Sequence, residues 1–183
     1  MSPTTPATEK KFRFAEATYS IESTPKSLRK WLQNDKVELV DSGDEEGWRD
    51  FSFADLVVLA LMRKLVDFGV GVEEANGYAR NIVETLLMAH LGHRKTPPAA
   101  LVARFTDVVG LLWRKLDDDS WLFRLVRHDE PAPAAAYAVI DTHAVVKRVL
   151  ERLVEITSDE TVPMASSPID RATPKPKAKG RKR

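Results

Sequence analysis

Two helix-start signals in the first third of the chain constrain its fold more than any other feature. The first is Thr24-Pro25, an N-cap residue followed by a proline whose φ is already set for a helix. The second is a capping box, in which Ser52 precedes Asp55 by three positions. These signals predict one helix from residue 24 to about residue 33 and a second over residues 56–66.

The segment between the two helices is predicted to be a β-hairpin. Val37–Val40 and Trp48–Phe51 each have the composition of a short strand, and the polar, glycine-containing stretch Asp41–Gly47 supplies the turn. A further short helix is expected over Arg13–Tyr19. Two short helices, a hairpin and a capped helix follow one another in the order of a winged helix-turn-helix.

Four collinear motifs make the likeness more specific. They are Ser27-Leu28-Arg29, the sequence Gly-Trp-Arg-Asp-Phe-Ser at 47–52, Asp55-Leu56 with Met-Arg-Lys-Leu at 62–65, and Phe-Gly-Val-Gly-Val-Glu-Glu at 68–74. This series resembles the MerR family of DNA-binding proteins, with its Thr-Leu-Arg-aromatic, Gly-Tyr-Arg-x-Tyr-Ser, Asp-Leu, Ile-Arg-x-Leu and Leu-Gly-Phe-Ser-Leu-Glu-Glu motifs. The likeness covers about residues 12–80. It implies a MerR-like winged helix-turn-helix domain over 12–75 that grips promoter DNA as a dimer and distorts the duplex for RNA polymerase.

The sequence departs from the family pattern at several positions. Lys30-Trp31 follows Leu-Arg where the family has two aromatic residues, and Asp35 and Lys36 stand where it has glycine and leucine. The segment 41–50 carries five acidic residues against the single Arg49. Because acidic side chains repel phosphates, the tip of the wing is expected to stay away from DNA or to contact a protein.

The expected DNA contacts lie on the helix predicted over residues 24–33 and on the wing. Thr24 marks a helix N-terminus, whose free N–H groups attract phosphate, and Arg29 and Lys30 on the solvent face suit guanine edges or phosphates. The resemblance implies that the wing residues hold the DNA backbone. A merely solvated basic surface, or a tryptophan packed within the hairpin, is the alternative. The predicted set is Thr24, Lys26, Ser27, Arg29, Lys30, Trp48 and Arg49.

A helix over Val72–Leu91 follows, and residues 76–96 are predicted to be a linker and dimerisation helix. The resemblance implies a homodimer through this helix, and the candidate seam is Tyr78, Ile82, Leu86 and Ala89, with Val149 and Leu153 as the second choice. Core packing within one chain explains the same apolar stripe equally well.

Residues 97–156 are predicted to form a small α+β region. Pro97-Pro98 is expected to open a helix that runs through Leu116, followed by strands over Trp121–Arg127 and Tyr137–Ile140. Asp141 or the next residue is expected to cap a final amphipathic helix. The fold class is therefore mainly α with a small β-hairpin wing, a helical linker and an α+β C-terminal region.

Charge is unevenly distributed along the chain, although the net charge is only +1. Residues 1–33 hold six basic and three acidic side chains, and the stretch from Arg171 to the C-terminus holds seven basic and no acidic ones. Residues 1–11 and 157–183 have the composition of disordered segments. The basic tail suits non-specific phosphate contacts, or serves only as a solubilising terminus.

Composition also argues against other classes of protein. The chain has no cysteine, which excludes thiolate metal sites and disulfides, and its longest apolar run, Leu56–Met62, is too short to span a bilayer. His90 and His93 have no third ligand nearby, and no catalytic constellation accompanies any histidine. We therefore expect no metal, no cofactor and no enzymatic activity.

The sequence thus predicts a cytoplasmic, bacterial regulator located in the nucleoid. Its expected partners are double-stranded DNA, a second copy of the chain and, by resemblance, RNA polymerase. Two alternatives stay open. One is a winged-helix adaptor that uses its acidic hairpin to bind a protein, and the other is an architectural DNA-binding protein of a phage or mobile element.

Overall fold

The computed structural model describes residues 11–33, 37–41, 50–88, 98–115, 117, 119–130 and 137–158. Within these ranges the protein is mostly helical, with one small antiparallel sheet. The helices are α1 (Phe14–Ser20), α2 (Pro25–Leu32), α3 (Phe53–Asp67), α4 (Val72–Met88), α5 (Pro98–Arg104) and α6 (Thr142–Ser158), and the strands are β1 (Val108–Arg114), β2 (Trp121–Arg127) and β3 (Ala138–Ile140).

Capping chemistry fixes where α2 and α3 begin: α2 begins at Pro25, as predicted, and α3 begins at Phe53, three residues before the predicted start at 56. The Thr24 hydroxyl oxygen accepts a hydrogen bond from the Ser27 N–H at 3.1 Å, with Pro25 at the first helical position of α2. At α3 the two halves of the capping box are both present. The helix ends just before Gly69, whose φ of +90° is a left-handed conformation that favours glycine.

Helix α3 is the centre of the molecule. Every residue from Phe53 to Met62 is buried, because α4 packs against one side of α3 and α6 against another. A single hydrophobic cluster extends from Phe12 before α1 to Leu153 in α6. The N-terminal helices and the C-terminal region therefore share one core. None of the described helices is both long and apolar enough to cross a membrane.

The sheet has β1 in the middle, with β2 and β3 paired antiparallel on its two sides. Gly110 in β1 permits the sheet to pack closely, because a Cβ atom there would lie 2.5 Å from the ring of Phe123. The predicted strands at 121–127 and 137–140 are confirmed, the second of them starting one residue later. They do not pair with each other, since β1 lies between them.

The predicted helix from Pro97-Pro98 through Leu116 is wrong beyond its first two turns. Helix α5 ends at Arg104, and residues 108–114 form the central strand. Val108 and Val109 are β-branched and precede a glycine, so helix propensity is low at this point. Pairing on both sides then stabilises the extended backbone.

The predicted strand over Val37–Val40 is also not a strand in the structure. The backbone of this segment is hydrogen-bonded to side chains and not to a neighbouring strand. The Asn76 amide accepts from the Glu38 N–H and donates to the Glu38 carbonyl, both at 3.0 Å. Phe51 pairs with Phe12, not with the 37–40 segment. Residues 42–49, which include most of the predicted turn at 41–47 and the first half of the predicted strand at 48–51, lie outside the described residues.

The candidate dimer seam lies within the core of a single chain. Ile82 is buried, Leu86 packs against the core, and the Tyr78 ring meets the ring of Phe123 edge-on, with 6.1 Å between their centroids. The second-choice residues on α6 are buried as well. Ala89 lies outside the described residues. The structure therefore favours the alternative, in which the apolar stripe of α4 packs within the core of one chain.

Candidate nucleic-acid interface

Helix α2 is amphipathic, with one buried apolar side and one exposed basic side. Leu28 is fully buried and Trp31 is almost so, which fixes the rotation of the helix about its axis. Lys26, Arg29 and Lys30 are exposed on the opposite side. The three outward cations of this eight-residue helix are opposite in charge to the phosphates of a nucleic-acid backbone and would attract them.

The N-terminus of α2 is shaped by a pair of hydroxyl groups. The Thr24 hydroxyl donates to the Ser27 Oγ at 2.9 Å while its oxygen also accepts from the Ser27 N–H. Thr24 is exposed and Ser27 is half-buried. The predicted site residues at this end therefore form the cap, and Lys26 beside them is left free to extend into solvent.

Arg29 also has a contact that extends the basic face onto α1. Its guanidinium carbon lies 5.3 Å from the centroid of the Phe14 ring, a cation–π arrangement. Lys11 and Arg13, just before Phe14, are exposed. Because Lys11 and Arg13 come just before the residue whose ring Arg29 contacts, we group the exposed cations before α1 with those of α2 and call them the basic face: Lys11, Arg13, Lys26, Arg29 and Lys30.

A buried carboxylate joins the two ends of the predicted wing. Asp55 is completely buried, and one of its oxygens accepts from the N–H groups of Val40 and Asp41 at 2.9 and 3.0 Å. The other oxygen accepts from the Ser52 N–H at 3.0 Å. Burial raises the pKa of Asp55, and the hydrogen bonds from Asp41 and Ser52 partly offset the rise. The same side chain thus caps α3 and fixes the segments on either side of 42–49.

The first two-fifths of the chain match a known family. Residues 12–82 match the sequence model of the MerR HTH family regulatory protein. This segment is similar to the MerR family. The match extends from Phe12, across α1, α2 and α3, to Ile82 in α4. We refer to residues 12–82 as the MerR segment. The search of the curated proteins found no match to the chain.

The structure brings five of the seven predicted contact residues of the MerR segment together. Thr24, Lys26, Ser27, Arg29 and Lys30 lie on or just before α2. Trp48 and Arg49 lie outside the described residues, so their predicted role beside the wing remains a prediction.

Two members of the basic face were not among the predicted contacts. Lys11 and Arg13 lie in a stretch with a local excess of positive charge. That excess was the only sequence signal for them. The contact between Arg29 and Phe14, the residue after Arg13, is the observation that links them to α2.

The turn between α1 and α2 of the MerR segment is held by the C-terminal helix. Glu22 in this turn has a left-handed backbone, with φ of +54°. Its carboxylate lies 2.7 Å from Arg152 and 3.4 Å from Arg148, both on α6, and 3.7 Å from Arg63 on α3. Arg152 also donates to the Tyr19 carbonyl at 3.0 Å. We call these five residues the Glu22 clamp.

The arginines change the acidity of Glu22. Burial alone would raise the pKa of this carboxyl group, but Arg152, Arg148 and Arg63 together lower it below its ordinary value of 4.5. A lowered pKa means that the ionised side chain stabilises the folded state above pH 4.5. That contribution is lost as pH falls through the folded-state pKa.

We therefore expect Glu22→Gln to reduce the free energy of unfolding at pH 7 by about 1 kcal/mol, since the carboxylate is one-third exposed and partly screened. The difference from wild type should shrink as pH falls below 4.5. Urea unfolding at several pH values measures it. Glu151→Gln, which removes a more exposed carboxylate with contacts of 3.6 and 3.9 Å, serves as the control. A difference that stays constant with pH would contradict the clamp's ionic character.

Proposed function

We propose that the protein is a transcription regulator that binds promoter DNA as a homodimer, with α2 of the MerR segment entering the major groove. The observation that carries this proposal is the basic face, whose cations are exposed around a helix anchored by Leu28 and Trp31. The family match supports it, because the MerR HTH family is one of regulatory proteins.

The chemistry of α2 suits both parts of DNA recognition. The helix N-terminus beside Thr24 offers a positive dipole end and the Lys26 N–H to a phosphate, because Pro25 has no N–H and the Ser27 N–H already donates to the Thr24 hydroxyl. Arg29 and Lys30, a turn further on, suit the acceptor atoms of guanine in the major groove. Contact between the Arg29 guanidinium and Phe14 limits its rotamers, so less side-chain entropy is lost when it binds DNA.

A homodimer is part of the proposal because one helix of this length reads only a few base pairs. Two copies on spaced half-sites supply the specificity that a genome requires. RNA polymerase is the further partner, reached through the distortion of the duplex between the half-sites. The predicted acidic wing, at 41–50, favours a protein contact over a phosphate contact.

The test of this proposal is Arg29→Ala on a DNA site selected from random sequence by the wild-type protein. We expect affinity to fall by about 5- to 150-fold, corresponding to about 1–3 kcal/mol for a base or close phosphate contact. A gel-shift titration at fixed salt concentration measures it. Arg29→Lys, which keeps the charge but loses the planar fork, should recover only part of the affinity.

The matched control is Arg127→Ala, which removes an exposed arginine from β2 whose ion pair with Asp129 is long, at 3.8 Å. That variant should bind the selected site as wild type does. Equal affinity of Arg29→Ala and wild type would exclude α2 from the interface. Failure of wild-type protein to select any site would instead favour the adaptor alternative.

A further inference from the structure

A cleft of about 370 Å³ lies where the MerR segment meets the C-terminal region. One wall comes from the turn after α1 and from α3, including Ile21, Ala60 and, just beyond the helix, Phe68. The other wall comes from β3 and α6, including Val139 and Val149. The cleft is therefore formed by parts of the chain that are distant in sequence.

The walls of the cleft leave apolar side chains open to solvent. Phe68 is 46% exposed and Val139 is 56% exposed, two of the largest such values for big apolar side chains in the described part of the chain. Ile21, Ala60 and Val149, which also line the cleft, are buried. Covering Phe68 and Val139 with a hydrocarbon group would remove apolar surface from water, which is favourable.

Three cations, Arg63, Lys64 and Arg148, line the cleft against two carboxylates, so the charge of its lining is net positive. Its two carboxylates are already engaged, since Glu22 pairs with Arg152 at 2.7 Å and Asp141 accepts from the Ala144 N–H at 2.8 Å. Lys64 has no ion pair within the described ranges, and Arg148 donates to Glu22 at 3.4 Å and lies 3.6 Å from Glu151. Both cations line the cleft.

We propose that this cleft binds a small apolar carboxylate, a ligand with one hydrocarbon group and one anionic head. The hydrocarbon group covers Phe68 and Val139, and the carboxylate is held by Lys64 and Arg148 through charge-assisted hydrogen bonds. The volume of the cleft lies at the lower end of the range for small-molecule sites, about 300–1,000 Å³, which limits the ligand to a short chain or a single ring.

Such a ligand would connect the MerR segment to the C-terminal region. Phe68 and Lys64 belong to the first, and Val139 and Arg148 to the second. Because the cleft forms only when α6 is docked, ligand binding would stabilise the docked state by mass action. This site and its test do not depend on DNA binding, so the proposal stands apart from the proposed function.

Octanoate, 1-octanol and octylammonium, which share one alkyl chain, test the proposal. We expect octanoate to bind full-length protein at one site, 1-octanol to bind at least about tenfold more weakly, and octylammonium not to bind. Titration calorimetry measures the affinities, and amide chemical shifts locate the site. Equal affinity for octanoate and 1-octanol would overturn the proposal, because the cations would then have no role.

Two variants and a control locate the binding site. Val139→Glu should abolish octanoate binding, since it places a carboxylate among the apolar side chains. Lys64→Gln with Arg148→Gln should reduce octanoate affinity to that of 1-octanol. Val154→Glu changes a residue of α6 that is 53% exposed and lies outside the cleft. This control variant should bind octanoate as the wild-type protein does. Loss of binding in Val154→Glu, or retention in Val139→Glu, would overturn the proposal.

Discussion

Replacing Asp55 by alanine is expected to lower the free energy of unfolding by about 3 kcal/mol or more, a large share of the 5–15 kcal/mol typical of a domain. The carboxylate is completely buried and accepts from the backbone N–H groups of Val40, Asp41 and Ser52. Each N–H group that loses its partner away from water costs about 1–3 kcal/mol. Urea unfolding followed by far-UV circular dichroism measures the loss.

Two further variants separate the roles of Asp55. Asp55→Asn keeps the volume and one oxygen, which can serve Val40 and Asp41, but it turns an NH₂ group towards the Ser52 N–H. It should therefore be destabilised less than the alanine variant. Ser52→Ala removes only the hydroxyl part of the capping box and should cost about 1 kcal/mol. Equal stability of the alanine and wild-type proteins would contradict the role of this carboxylate.

The helices that the sequence predicts best are those whose signals are local. Thr24 and Ser52 cap their helices through hydrogen bonds to residues three positions away. Helix α2 begins at Pro25, as predicted, and α3 begins directly after its cap, at Phe53, three residues before the predicted start. The Asp141 side chain likewise caps α6, as expected. Capping depends on neighbouring residues alone, so sequence is sufficient to predict it.

The central strand could not be predicted in this way. Residues 108–114 contain an apolar run that suits either a helix or a strand. What decides is pairing with β2 and β3, together with the close packing of Gly110 under Phe123. These contacts are tertiary, and no local pattern records them.

The local parts of the candidate site could be predicted from the sequence, and the parts that depend on tertiary contacts could not. The outward cations of α2 follow from helical periodicity around Leu28 and Trp31. The Glu22 clamp joins residues more than a hundred positions apart, such as Tyr19 and Arg152. The stripe of α6 predicts a buried face, but it does not say that the face meets α1 and α3.

The second large effect is expected at α4, where Ile82→Glu with Leu86→Glu should unfold the protein instead of only dissociating a dimer. Ile82 is buried and Leu86 packs against the core. A carboxylate in that environment lacks a partner and loses its hydration, a cost of several kcal/mol for each charge. Two such charges approach or exceed the stability of a typical domain. Circular dichroism and the loss of a cooperative thermal transition measure the effect.

The matched control places the same two charges, with the same spacing, on an exposed face of the same helix. Asn81 and Thr85 are exposed on α4, so Asn81→Glu with Thr85→Glu should remain folded. Light scattering on this control also tests the proposed homodimer, because a folded monomer would show that partners meet through the exposed face of α4. A control that remains dimeric would place the contact elsewhere.

If Ile82→Glu with Leu86→Glu were instead a folded monomer, the stripe would be a seam between chains, and its packing within one chain would be wrong. The two double variants therefore separate the core of this protein from its surface of association.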